Sequence, residues 1–337
     1  MMRLHPVHMT RLLRFASVFV AAVIAVGIDC YGQMDAQFSQ YYEMPTYYNP
    51  AAAGSTEYLR VRGGTRIQWV GIDNAPRTIV MAADMPLRLF KKNFGVGLVM
   101  NQENIGLYRT MSLGAQLSMR FKLFGGELTP GIQLGFIDQS FKGSDVFIPG
   151  DDDYHEDNDD AIPRNDLRGH AFDLAAGVWY THKWFWASVS MTHLTSPAIT
   201  LSSEASSGSS AQQDFEFTAG RTFYFMAGSN IPIKNTLFEV MPSVMVKSDF
   251  TFTVSELTAR VRYNKFLTFG VGYRYKDALI ATVAADYRNF YLGYSYDYPT
   301  GDIARASRGS HEIFVGYRVK LNKGDKNKHR HKNIRIM

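Results

Sequence analysis

The sequence predicts an all-β fold: a transmembrane antiparallel up-and-down β-barrel of about fourteen strands, preceded by an extended N-terminal segment. Three observations predict it. Apolar and polar residues alternate with period two along most of the chain. The alternating runs reach nine to twelve residues, where a soluble strand averages ~5–6 and a strand crossing a bilayer needs ~9–11. The connections are short on one side and include every long one on the other. Composition agrees: hydrophobic residues make up 46% and aromatic residues 14%, yet mean hydropathy is slightly negative, as expected when every second residue faces lipid and the rest face water.

The N-terminus comes first. Arg3, Arg11 and Arg14 precede an apolar run from Phe15 to Ile28, too short for the ~20 residues of a membrane-spanning helix. Residues 1–32 read as a cleaved signal peptide, with small Gly32 at the cleavage point and Gln33 as the mature start. Asp29 is wrong for a lipidation site at Cys30, the single cysteine. Its loss with the signal removes disulfide and thiol chemistry together.

Residues 33–56 form a segment ahead of the first strand. Its tyrosines, Pro45 and Pro50 forbid a regular central strand and favour an ordered, extended coil. It lies in the periplasm or folds into the lumen, as a plug, a docking strip for a periplasmic partner, or a tether packed on the barrel rim.

The barrel spans 57–321, with strands expected at 57–69, 77–85, 93–101, 110–122, 127–138, 170–181, 184–192, 219–230, 238–248, 252–263, 266–275, 278–287, 290–298 and 310–321. In the fourth, Met111, Leu113, Ala115, Leu117, Met119 and Phe121 alternate with Ser112, Gly114, Gln116, Ser118, Arg120 and Lys122. In the thirteenth, Phe290, Leu292, Tyr294, Tyr296 and Tyr298 alternate with Tyr291, Gly293, Ser295 and Asp297. A soluble sandwich also alternates. Tyrosines ending the apolar rows and glycines on the polar face favour a lipid-girdled, crowded barrel. The even connections are short, and the long ones, 101–109, 139–169, 193–218 and 299–309, are all odd. Short periplasmic turns, long outer loops and periplasmic termini follow.

The other rows face the lumen. They carry Arg60, Arg62, Arg66, Arg120, Lys122, Arg260, Arg262, Arg274, Arg318 and Lys320, and against them Asp84, Glu127, Asp173, Glu256, Asp286, Asp297 and Glu312. An isolated buried ion costs several kcal/mol, so these charges are expected to form an ion-pair lattice rather than a selective channel. Asp151, Asp152, Asp153, Glu156, Asp157, Asp159 and Asp160 crowd one outer loop, a candidate cation or cargo contact that lacks helix-loop-helix calcium spacing. The net charge of +5 sits largely in the tail 322–337, read as basic and periplasmic. No basic helix or aromatic-basic signature points to nucleic acid, the histidines lack metal spacing, and no nucleophile elbow or phosphate-cradling loop appears. No cofactor and no catalysis are expected.

Specific residues then become recognisable. They are Gln37-Phe38-Ser39-Gln40-Tyr41 and Tyr47-Tyr48-Asn49-Pro50-Ala51 with Gly54 and Ser55, then Arg66, Gln68-Trp69, Gly71, Ala75-Pro76, Thr78, Asp84 and Pro86. The last strand adds His311-Glu312-Ile313 and Gly316-Tyr317-Arg318. From about Gln33 to Leu321 the chain resembles the PorP/SprF family of type IX secretion outer-membrane proteins. The resemblance implies a barrel that helps deliver or hold cargo bearing a C-terminal secretion domain. The implied partners are outer-membrane lipid, that cargo, and periplasmic components including a peptidoglycan-linked protein. Gln37, Phe38, Ser39, Gln40, Tyr47, Tyr48, Asn49 and Pro50 are the candidate partner-binding residues. A fourteen-strand transporter for hydrophobic small molecules is the alternative, weakened by ionic inward faces; a hydrolytic barrel lacks a motif.

Overall fold

The computed structural model describes residues 35–146, 165–203 and 215–321. The expected signal peptide, the acidic run 151–160 and the basic tail lie outside them.

Fourteen antiparallel strands form the wall: β1 (Tyr58–Ile67), β2 (Arg77–Leu89), β3 (Lys92–Ile105), β4 (Tyr108–Met119), β5 (Gly126–Phe141), β6 (Leu167–Thr181) and β7 (Trp186–Thr192), followed by β8 (Thr222–Gly228), β9 (Phe238–Ser248), β10 (Thr253–Tyr263), β11 (Leu267–Arg274), β12 (Ala278–Tyr287), β13 (Phe290–Pro299) and β14 (Ser310–Lys320). Each pairs with its sequence neighbours. The sheet closes on itself where β1 meets β14, from Tyr58 opposite Lys320 to Ile67 opposite His311. Closure leaves no edge for lipid to contact with unpaired backbone groups.

Side-chain distribution separates this wall from a soluble sandwich. Outward rows are apolar and exposed, as with Leu98, Leu113, Leu134 and Val271, while Arg66, Glu312 and Thr258 on inward rows are buried. A protein facing water would have the opposite arrangement; an apolar exterior requires an apolar solvent. Among the described residues no helix is long and apolar enough to cross a membrane, and the strands do the crossing.

At the mouth where β1 begins and β14 ends, tight turns join the strands. Phe90 and Lys91, Phe124 and Gly125, and Asn264 and Lys265 all take positive φ, the two-residue geometry whose twist matches antiparallel strands. The opposite mouth carries the long loops, with one correction. The connection expected at 101–109 is instead ladder: β3 runs to Ile105 and β4 starts at Tyr108, around Gly106 at φ 58°. Gln102, Glu103 and Asn104 break the apolar alternation because the hairpin extends past the apolar belt. A second hairpin, Ala198–Leu201 with Phe215–Thr218, folds onto the inner face of β5 and β6, where Ile137, Leu167, Ile199 and Leu201 form a small core.

The segment before β1 is not the extended coil expected. It makes three short helical turns, Tyr41–Glu43, Pro45–Tyr48 and Pro50–Ala52. Pro45 and Pro50 open the second and third, a position where the missing N–H costs nothing. The same prolines that forbid a strand here pre-set the helical φ.

Candidate functional site

The N-terminal strip lies inside the barrel and runs its length. It starts at the loop mouth. There Asp35 accepts hydrogen bonds from Thr192 (2.9 Å) and Tyr224 (2.7 Å) and lies 2.9 Å from His193, all at or just beyond strand ends. Lys247 donates to its carbonyl. Next, the Gln37 amide donates to Glu256 (3.1 Å), and the backbone N–H groups of Ser39 and Gln40 donate to the two oxygens of Glu312 (2.9 and 2.8 Å). The chain then descends. Tyr41 donates to Ser243 at 2.8 Å, Tyr42 lies under the Arg260 guanidinium at 3.3 Å, and Glu43 pairs with Arg62 at 2.8 Å. Asn49 donates to the carbonyls of Val178 and Val189 (3.1 and 3.2 Å). Gly54 reaches the turn mouth, its N–H 2.8 Å from Asp84. Asp35 and Leu321 therefore lie at opposite mouths.

All eight candidate residues fall on this strip. Gln37, Phe38, Ser39, Gln40, Tyr48, Asn49 and Pro50 are buried and Tyr47 is half-buried. They pack on the wall and on one another: Phe38 lies edge-on against Phe314 and against Tyr47 of the strip, and Tyr48 against Tyr224. A second protein reaches these side chains only when the strip leaves the lumen. Inward glycines make the seats. A Cβ at Gly95 would sit 1.9 Å from the Ala53 carbonyl oxygen, and one at Gly131 2.4 Å from Ala51. Period two puts glycines on the polar face without showing what they accommodate.

The charged rows pair as a lattice. Arg66 binds Asp297 (2.8 Å) and Glu312 (3.2 Å), and Arg274 binds Glu256 (2.9 Å) and Asp297 (3.1 Å). Asp84 pairs with Arg60, Glu127 with Arg120, Asp286 with Arg318, and Asp173 with His193. Two expected members differ: Lys122 and Lys320 are exposed at strand ends, where the ladder passes the edge of the lumen. The strip supplies part of the lattice that strand periodicity alone did not reveal, namely Asp35, Ser39 and Glu43. Lys247 was missed although it shares its face with Met241, Ser243 and Met245, so parity was the available signal.

Burial opposes charge on the Asp35 carboxyl, but His193, Tyr224 and Lys247 outweigh it and hold the group well below the usual carboxylate range. Burial likewise lowers His193, yet Asp35 and Asp173 prevail and raise it to about 10. A cavity of about 40 Å³ remains beside Asp35, Asn101, Asp173 and His193, room for a few waters and no more. Among the described residues no group of three or more side chains is placed to hold a metal ion. This arrangement fastens a strip to a wall.

A family model for the type IX secretion system membrane protein PorP/SprF matches residues 31–317. No curated relative matches the chain. Similar solved structures include the toluene transporter TbuX of Ralstonia pickettii, at 11% identity, covering 82% of this chain and 93% of that one with a TM-score of 0.49. Others are a FadL homologue from Pseudomonas aeruginosa, at 9% identity, 81% and 92% coverage and a TM-score of 0.46, and the translocator domain of the autotransporter NalP from Neisseria meningitidis, at 9%, 78% and 87%, and 0.41.

Proposed function

From the premise that the chain belongs to the PorP/SprF family of type IX secretion system membrane proteins, we propose that it is a non-catalytic outer-membrane barrel that assists secretion or surface anchoring of cargo and docks periplasmic parts of the machine. In this reading the turn mouth and both ends of the wall face the periplasm, toward a peptidoglycan-linked component, and the long loops face cargo bearing a C-terminal secretion domain. One observation carries it: the lumen is filled by the chain's own residues 35–55, bonded to wall residues from Thr192 and Lys247 at one mouth to Asp84 at the other. A filled ionic lumen supports work done at the rims, by recognition, over transport through the middle. The transporter alternative would need a continuous apolar path, and buried Arg66, Arg274, Glu256 and Glu312 stand in its place.

The test is deletion in the native host, first of the gene and then of residues 35–55 alone, with outer-membrane insertion and secreted proteins quantified together. Cargo should disappear from the surface in both strains while the shortened barrel still inserts. Unchanged cargo in both would defeat the secretion role; unchanged cargo in the strip deletion alone would reduce the strip to a structural filler.

A further inference from the structure

The turn mouth carries a pattern of cations and rings that the secretion reading does not use. Each of the six short turns at the turn mouth places a cation beside an exposed ring. Phe90 precedes Lys91 and Lys92, Phe124 follows Lys122, and Trp184 and Phe185 follow Lys183. Lys234 comes before Phe238, Lys265 before Phe266, and Arg288 lies between Tyr287 and Phe290. The rings are strongly exposed: Phe90 at 92%, Phe124 at 69% and Trp184 at 64%. Lys183 lies 4.7 Å from the Trp184 ring and Arg288 5.4 Å from that of Tyr287.

Among the described residues none of these turn cations has a carboxylate partner. Of the nearby acids, Glu127, Asp286 and Glu239 are held by Arg120, Arg318 and Arg262, arginines of the inward rows. Glu57, exposed just ahead of β1, is one acid against the six turn cations Lys91, Lys92, Lys183, Lys234, Lys265 and Arg288. The acids neutralise the lumen and leave the rim positive.

We propose that the turn mouth is a binding ring for anionic phospholipid headgroups of the leaflet it meets, with the aromatic side chains seated at the interface and Lys91, Lys92, Lys183, Lys234, Lys265 and Arg288 on the phosphates. The occupant follows from charge and position. The cations form a belt around the perimeter, level with interfacial aromatics, where long basic side chains extend to headgroups. An acidic protein would instead need a contiguous face. Basic residues near an anionic surface are attracted to it, so a ring of them selects anionic over zwitterionic lipid.

The test uses the full mature chain, purified in detergent with an equimolar mixture of phosphatidylglycerol and phosphatidylcholine, retained lipid being counted by native mass spectrometry. Phosphatidylglycerol should be enriched on the order of tenfold, the factor that ~1.4 kcal/mol represents. The enrichment should vanish in K91Q/K92Q/K183Q/K234Q/K265Q/R288Q and persist in a variant ending at Leu321. Equal retention of both lipids, preference that departs with the tail, or selective retention of lipopolysaccharide in place of phospholipid would each overturn the proposal. Circular dichroism of the six-site variant guards against misfolding, with L89K as a second probe should it fail to fold: one more rim cation must raise the enrichment. None of these outcomes depends on cargo secretion.

Discussion

The Ser39 hydroxyl donates to the Asp297 carboxylate from 2.7 Å to each oxygen, and the same Oγ accepts from Arg66 (3.2 Å) and Arg274 (2.8 Å). One small side chain of the strip thus completes a node that also takes in Glu256 and Glu312. Removing the hydroxyl leaves buried donors and an acceptor short of a partner, at about 1–3 kcal/mol. Ser39→Ala should destabilise the detergent-solubilised barrel by that amount, read as a lower thermal midpoint. Arg66→Met leaves Glu312 buried without its cation and should cost about 3–5 kcal/mol. Equal midpoints for both variants and the parent would show that the node carries no stability.

The glycine seats separate the strip from the wall. Gly95→Val places side-chain carbons where the Ala53 carbonyl lies, and backbone on both sides prevents relief. The wall ladder should survive while residues 50–55 are displaced. Hydrogen exchange should rise at Ala52 and Ala53 and stay low in β2 and β3. Gly135→Ala is the control, because the nearest atoms to its added carbon are 3.5 Å away. Unchanged exchange at Ala53 in Gly95→Val would mean that the strip does not need this seat.

The wall was legible in the sequence because a lipid-facing barrel imposes period two on nearly every residue. Strand count, the Asn264-Lys265 turn and the inward placement of Arg66, Asp297 and Glu312 all follow from parity. The 101–109 hairpin was not legible, since beyond the apolar belt both faces of a strand can be polar. The strip's role in the lattice was legible only in part. Its motif stood out, but helical turns of three or four residues leave no period, and Asp35 meets His193, more than a hundred residues on, only through closure of the barrel. Pairing at that separation is a property of topology, which local pattern does not encode.

The Asp35–His193–Asp173 contact predicts a pH dependence with a definite sign. His193 is raised from 6.5 to about 10, so its charged form stabilises the fold fully below the unfolded value, and that contribution is lost as pH rises through about 10. Asp35 is held low; its contribution is present above the unfolded carboxylate value near 3.8 and is lost only in stronger acid. Between these limits the clamp is fully charged. The thermal midpoint of the parent should therefore fall between pH 7 and 10.5 relative to His193→Asn, and the two profiles should run parallel from pH 5 to 6. Parallel profiles across the alkaline range would remove His193 from the clamp.

The course of the strip makes a demand on both mouths at once. Asp35 is held by Thr192 at the loop mouth, their oxygens 2.9 Å apart, while at the turn mouth the Ala53 Cβ lies 3.1 Å from where a Cβ on Gly97 would stand. Disulfides need Cβ atoms about 3.5–4.5 Å apart, within reach of a small adjustment at Ala53 and Gly97. At Asp35 and Thr192 it is the side-chain oxygens that touch, so their Cβ atoms stand farther apart and a short bis-thiol-reactive linker is the bridge there. Asp35→Cys with Thr192→Cys should therefore be bridged by the linker, Ala53→Cys with Gly97→Cys should oxidise, and the four-cysteine chain should form both bonds in one molecule. The readout is the mass of a proteolytic fragment joining the strip to β3 and to β7, taken from protein oxidised in the membrane before extraction. A strip packed only on the turn-mouth rim forms the second bond and never the first. A strip that traverses the lumen forms both, because only then does residue 35 reach the far ends of β7 and β9 while residue 53 rests against β3.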